Sequence, residues 1–186
     1  FDPAWKELEY DIWYRLLNCG IRLPASTGSD WYVCSNNRVY VQTDDDFTYA
    51  SWIDGLRRGR TFITNGPALF LEVDGQQPGG AIDAGNRRAA IRVEWRSFFP
   101  LDRIEVVRDG AVIQRQTLHT AGDHRDSFAQ PLFAHTNPVY IGSGLPPAKV
   151  GAAARLFAEA VARSAGLIER HYRFATDEPV SYTHLT

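Results

Sequence analysis

The 186-residue chain carries 20 Lys+Arg against 22 Asp+Glu, a net charge of −2, and 44% of its residues are hydrophobic. That balance argues against the basic surface of a nucleic-acid-binding domain, and the apolar content is too high for a disordered chain. At about 150 residues per domain the length allows one domain or two small ones, and no run approaches the ~18 apolar residues of a membrane-spanning helix.

The chain starts at Phe1 and contains no Met, so a processed or interior start is expected, with any signal peptide lying before Phe1 and localisation left open. Near Phe1, Asp2 and Pro3 suit the N-cap and first position of a helix whose apolar face would be Trp5, Leu8, Ile12 and Leu16. Asn18-Cys19-Gly20 closes it, with Gly20 free to take the left-handed C-cap conformation. Residues 21–26 read as a short buried strand that runs into the loop Thr27-Gly28-Ser29-Asp30. After Asp44-Asp45-Asp46, Thr48 caps a second helix with Tyr49, Trp52, Ile53 and Leu56 on one face. Gly59 ends it, and Arg57, Arg58 and Arg60 suit the negative end of its dipole. Residues 61–64 form a strand stopped by Asn65-Gly66-Pro67. This alternation of helix and strand predicts an α/β arrangement with parallel strands.

Beyond Pro67 the pattern changes to short strands with Asp-Gly turns: 68–73, 89–95, 103–108, 111–118 and 138–142. Strands at roughly ten-residue spacing without helices between them predict an antiparallel β-sandwich. Gly144-Leu145-Pro146-Pro147 interrupts the chain before an alanine-rich helix with Val150, Ala154, Phe157 and Val161 on one face. The expected organisation is α+β overall: 1–66, the end of a β/α domain; 67–142, a β-sandwich; 143–180, a linker and C-terminal helix. Residues 181–186 read as a non-native tail resembling translated sequencing adapter.

Asp30 is the leading candidate for chemistry. It follows a predicted strand, where β/α barrels present ligands, and a carboxylate there can bind a divalent metal; a turn-forming Asp is the plainer reading. Asn18 and Arg22 flank the same strand, Arg22 with a guanidinium suited to substrate oxygens; otherwise they are a helix cap and a surface residue. Thr64 and Asn65 end the next strand and are substrate-binding candidates, or simply the turn before Pro67. Cys19 and Cys34 match no zinc or redox spacing and read as unlinked thiols. His119, His124 and His135 form no ligand motif and read as loop or edge-strand residues. No nucleophile elbow or phosphate-binding glycine loop occurs.

Three segments carry a resemblance. Residues 16–30 (LLNCGIRLPASTGSD) resemble the end of the PHP domain in CehA/McbA-type metallohydrolases. Phe47, Trp52, Leu56 and residues 59–67 (GRTFITNGP) resemble that family's next stretch, and residues 134–140 (AHTNPVY) a later one. The resemblance implies the C-terminal portion of a metal-dependent hydrolase built on a distorted β/α barrel, with a small-molecule ester, carbamate or phosphoester cleaved by metal-activated water. By matching motif, Asp30 corresponds to a late ligand of that barrel, for Zn, Mn or Fe, all of which accept His and carboxylate donors. Tyr32 stands where many PHP proteins have a His, and the early ligands would precede Phe1, so this chain alone is expected to be inactive. The alternative is a non-catalytic sandwich that binds a partner through Trp95, Phe98, Phe99 or Phe133, each of which otherwise belongs in a core, or that stabilises or dimerises an enzyme. Substrate and oligomeric state are not encoded in these patterns.

Overall fold

In the computed structural model, which describes residues 6–28, 35–44, 46–83, 85, 88–118, 124–142 and 147–171, the chain begins with helix α1 (Lys6–Asn18). There follow β1 (Arg38–Val41), α2 (Tyr49–Arg57), β2 (Thr61–Thr64), β3 (Ala68–Val73), β4 (Ala81–Ile82), β5 (Ile91–Arg96), β6 (Arg103–Arg108), β7 (Ala111–Thr117), β8 (Ala134–Thr136), β9 (Tyr140–Ile141) and α3 (Pro147–His171). The result is a mixed α/β fold of several small, mostly antiparallel sheets with a C-terminal helix. No barrel closes among the described residues.

The local stop and start signals act as their chemistry dictates. Gly20 takes φ +84, and the Gly20 and Ile21 N–H groups donate to the Leu17 and Leu16 carbonyls at 2.9 and 3.2 Å, the paired bonds of a Schellman cap. Thr48 caps α2 through the Ser51 N–H at 3.0 Å, and the Ser51 hydroxyl accepts from the Thr48 N–H in return, so serine takes the place usually held by Glu in a capping box. Asp109 and Gly110 both lie at positive φ, 56° and 82°. They form the two-residue turn that matches the twist of the β6–β7 hairpin.

Four expectations change. Residues 21–28 adopt no strand: Pro24 cannot donate to a ladder, Ile21 and Leu23 are exposed, and the Ala25 N–H is taken by a side chain. The strand before β2 is instead β1, in which half-buried Val39 and Val41 alternate with exposed Arg38 and Tyr40. Second, β2 runs antiparallel to both its neighbours, β1 and β8. Gly59, at φ +72, turns the chain straight back from α2, so that the Gln42 N–H donates to the Arg60 carbonyl at 2.8 Å. The connection is a wide hairpin containing a helix, not a crossover. Third, α1 is rotated from the expected face. Trp13, 4% exposed, joins Ala25 and Ile63 in the core with Tyr10, Tyr14, Leu17, Val39 and Phe133 around them, while Ile12 faces solvent; Trp5 lies outside the described residues. Fourth, α3 buries Ala153, whereas Ala154 and Val161 are exposed.

The β3–β5 and β6–β7 pairs are antiparallel, as their alternation predicts. Each is a two-stranded sheet, and β7 is exposed along its whole length. The only parallel pairing among the described residues, β4 with β9, involves two short strands. The three-stranded sheet β1–β2–β8 takes strands from both sides of Pro67.

Candidate functional site

The residues proposed from the sequence occupy separate places. Asn18 ends α1 and donates through Nδ2 to the Asp109 carbonyl at 3.0 Å, pinning the β6–β7 turn, whose Asp109 carboxylate also accepts from Lys149 Nζ of α3 at 2.9 Å. Asn18 and Lys149 together hold the hairpin turn against α1 and α3.

Thr64 and Asn65 are buried at the end of β2. The Thr64 hydroxyl lies 2.7 Å from the Pro67 carbonyl and 2.9 Å from the Phe133 carbonyl, and accepts from the Gly66 N–H at 2.9 Å. Asn65 Oδ1 accepts from the Phe133 N–H at 2.8 Å, while Nδ2 donates to the Pro131 carbonyl at 2.9 Å and Asp126 Oδ2 at 3.1 Å. Through their bonds to Pro131 and Phe133, these two side chains fasten β2 to the approach of β8.

Arg22 lies at the other end of β2. Its guanidinium stands 4.3 Å over the Tyr140 ring, a cation–π contact. Burial raises the pKa of the Tyr140 phenol, an effect the neighbouring Arg22 opposes. Together with Arg57, Arg58, Arg60 and Asn137, this pair lines a cleft of about 320 Å³. Arg22 therefore does not share a face with Thr64 and Asn65.

Asp30 and Tyr32 lie outside the described residues, as do His119 and Cys34. Cys19 carries a free thiol. Among the described residues, no three His, Cys, Asp or Glu side chains converge, so these residues do not by themselves make a metal centre. Next to the 29–34 segment, Asn37 is 1% exposed and donates through Nδ2 to Thr27 Oγ1 at 3.2 Å, while its buried Oδ1 has no hydrogen-bond partner among the described residues. One asparagine between Asn36 and Arg38 has no sequence pattern to mark it.

From the sequence, His135 reads as a loop or edge-strand residue. It does lie on the edge strand β8, but its ring is packed against Tyr10 at 4.8 Å and edge-on to Trp13 at 5.3 Å. Nδ1 is 2.6 Å from the Thr136 carbonyl and Nε2 is 2.5 Å from the Tyr14 hydroxyl. A carbonyl only accepts, so Nδ1 carries the proton and Nε2 accepts from Tyr14. Burial raises the Tyr14 phenol to about 12, helped by Glu105, and lowers the His135 pKa below its ordinary 6.5, which the bond to Thr136 only partly offsets. The unfolded chain thus binds a proton at His135 more readily than the folded one. Stability is fully present above about pH 6.5 and falls as pH drops below it, by at most ~1.4 kcal/mol per pH unit from this group. Urea midpoints at pH 7.5 and 5.0 are expected to differ, and His135→Gln to shrink that difference; an unchanged difference would exclude His135 as its source.

Between these sites lies a buried polar node. Asn137, 1% exposed, accepts at Oδ1 from the Ala25 N–H at 2.8 Å and donates through Nδ2 to the Thr61 hydroxyl. The Asn137 N–H donates to the Thr61 carbonyl at 3.0 Å, and Thr61 Oγ1 lies 3.4 Å from the Ala25 carbonyl. One amide side chain thereby joins three distant segments. Of the aromatic candidates for partner binding, Phe133 packs on the core, but Phe98 is fully exposed and Phe99 and Trp95 are partly so.

Comparison with family models, curated proteins and solved structures finds no match to this chain.

Proposed function

We propose that this chain is the C-terminal portion of a metal-dependent hydrolase of the CehA/McbA type, in the PHP superfamily, whose last β/α-barrel elements are followed by a β-sandwich and a helix. The observation that carries this reading is the Asn137 node. The three segments on which the resemblance rests, 16–30, 59–67 and 134–140, are far apart in sequence yet meet through Ala25, Thr61 and Asn137. That convergence is what a single structural unit built from those motifs requires. In this reading Asp30 is the residue of this chain that would hold a divalent cation, which supplies activated water for cleavage of an ester, carbamate or phosphoester.

The test compares the 186-residue chain with the same chain extended by its upstream coding sequence, each assayed with p-nitrophenyl acetate and p-nitrophenyl phosphate in the presence of Zn, Mn or Fe. The isolated chain is expected to be inactive and the extended protein active. Asp30→Asn in the extended protein is expected to lower bound metal and cut the rate at least 100-fold. Unchanged metal content and rate would remove Asp30 from the site.

A second reading, a non-catalytic binding or structural module, is favoured by the exposure of Phe98 and Phe99 directly after β5. An extended protein that binds no metal and hydrolyses neither ester would support it.

A further inference from the structure

The arginine-lined cleft has a charge balance that its neighbours do not close. Arg60 pairs with Asp44, and Arg58 pairs with Asp54 at 2.8 Å. The Arg60 hydrogen bond and charge hold the Asp44 carboxyl below the usual carboxylate range. Arg22 and Arg57 form no ion pair among the described residues, and no acidic side chain is among the described residues that line the cleft. Arg22, Arg57, Arg58 and Arg60 all line this cleft, and among the described residues two of the four have an acidic partner.

Two contacts shape that space. Tyr140 fixes the Arg22 guanidinium from one side. Opposite, the 77–80 turn is drawn against the end of α2: Gly79, at φ +82, donates from its N–H to the Pro138 carbonyl at 2.8 Å and lies hard against Arg58. The volume, about 320 Å³, is at the lower end for small-molecule sites and leaves room beside the Tyr140 ring for more than a bare oxyanion. Stabilising the C-terminal end of the α2 dipole accounts for some of this charge. It does not account for Arg22, which comes from another part of the chain.

We infer that this cleft binds a small soluble molecule through a phosphate monoester group, with Arg22 and Arg57 as its principal contacts and the Tyr140 ring beside the ligand's body. A phosphate monoester carries about 1.5 to 2 negative charges at pH 7, which suits a cleft lined by four arginines of which two have no acidic partner among the described residues, and its oxygens suit guanidinium forks. The site lies at the end of β2 away from Thr64 and Asn65 and does not depend on the hydrolase reading.

Isothermal titration calorimetry on the full chain, at a constant ionic strength of about 0.15 M, supplies the test, with inorganic phosphate, phenyl phosphate and acetate as probes. Saturable binding of both phosphates is expected, with phenyl phosphate the tighter and acetate at least tenfold weaker. Arg57→Gln and Arg22→Gln are each expected to weaken phosphate binding about tenfold, Arg22→Lys less, and Arg163→Gln on exposed α3 not at all, with circular dichroism confirming that each variant is folded. Absence of saturable binding, acetate equal to phosphate, or equal losses from Arg163→Gln and Arg57→Gln would overturn the proposal. Sedimentation with phosphatidic-acid vesicles that is abolished by Arg57→Gln would overturn the assignment to a soluble ligand in favour of a lipid headgroup.

Discussion

Gly79→Ala is expected to destabilise the chain by about 4 kcal/mol, enough to unfold a marginal domain. Two costs combine. The residue sits at φ +82, which charges an L-residue roughly 1–2 kcal/mol, and an added Cβ would overlap the Arg58 carbonyl oxygen and approach the Gly59 carbonyl carbon to 3.0 Å. Those obstacles are backbone at the capped end of α2 and cannot rotate away. Relief would require parting the 77–80 turn from α2, and with it the Gly79 N–H bond to Pro138 that helps align β4 with β9. Gly75→Ala is the control. It has nearly the same φ, +81, with nothing within 4 Å of its Cβ position, so only the backbone cost of about 1 kcal/mol remains. Urea denaturation of the two variants separates packing from conformation; equal losses would show that the contact with Arg58 is not close.

Asn137→Ala is expected to cost about 3 kcal/mol, because it strands the buried Ala25 N–H and leaves a void between residues 25 and 61. Ala25 is 3% exposed and Thr61 likewise 3%, so water has little access to replace the lost partner. The node is cooperative in a measurable way. Thr61→Val removes the hydroxyl that Asn137 Nδ2 donates to, and a double-mutant cycle between the two positions should give a coupling of about 1 to 2 kcal/mol. Strict additivity would mean that the two side chains stabilise the fold independently, and would weaken the case that segments 16–30, 59–67 and 134–140 form one unit.

Surface ion pairs make a smaller contribution. Glu105 accepts from Arg103 and Arg115 at 2.9 and 2.7 Å across the β6–β7 hairpin. Partial burial would raise its pKa, but the two arginines hold it below the usual range. Exposed pairs of this kind are worth at most ~1 kcal/mol, so the hairpin depends more on its Asp109-Gly110 turn and its attachment to Asn18.

The candidate residues show where sequence reasoning reached its limit. Asn18, Arg22, Thr64 and Asn65 were grouped because they flank strand ends, a rule that assumes parallel strands with a common exit face. Once β2 lies antiparallel to its neighbours, its two ends serve different surroundings, and the four residues separate into a hairpin clasp, a cationic cleft and a buried fastening. Arg57, Arg58 and Arg60 were legible as helix-end charges, but their convergence with Arg22 was not. His135 gave no warning of burial, since its partners Tyr10, Trp13 and Tyr14 belong to a helix at the opposite end of the chain.

Sequence alone determined the features whose partners lie within a few residues. The Gly20 cap, the Thr48 cap, the Gly59 turn and the Asp109-Gly110 hairpin depend on i to i+5 hydrogen bonds and on which residues tolerate positive φ, and all were readable before any fold was known. Tertiary structure alone decided the face of α1 that is buried, the direction of β2 and the position of each charged or amide side chain. The reason is separation: Asn137 bonds to residues 76 and 112 positions away, and no local pattern encodes which distant group will arrive to satisfy a buried amide. The near-neutral composition concealed the gathering of Arg22, Arg57, Arg58 and Arg60 around one cleft, because net charge is a sum over the chain while binding depends on where the charges meet.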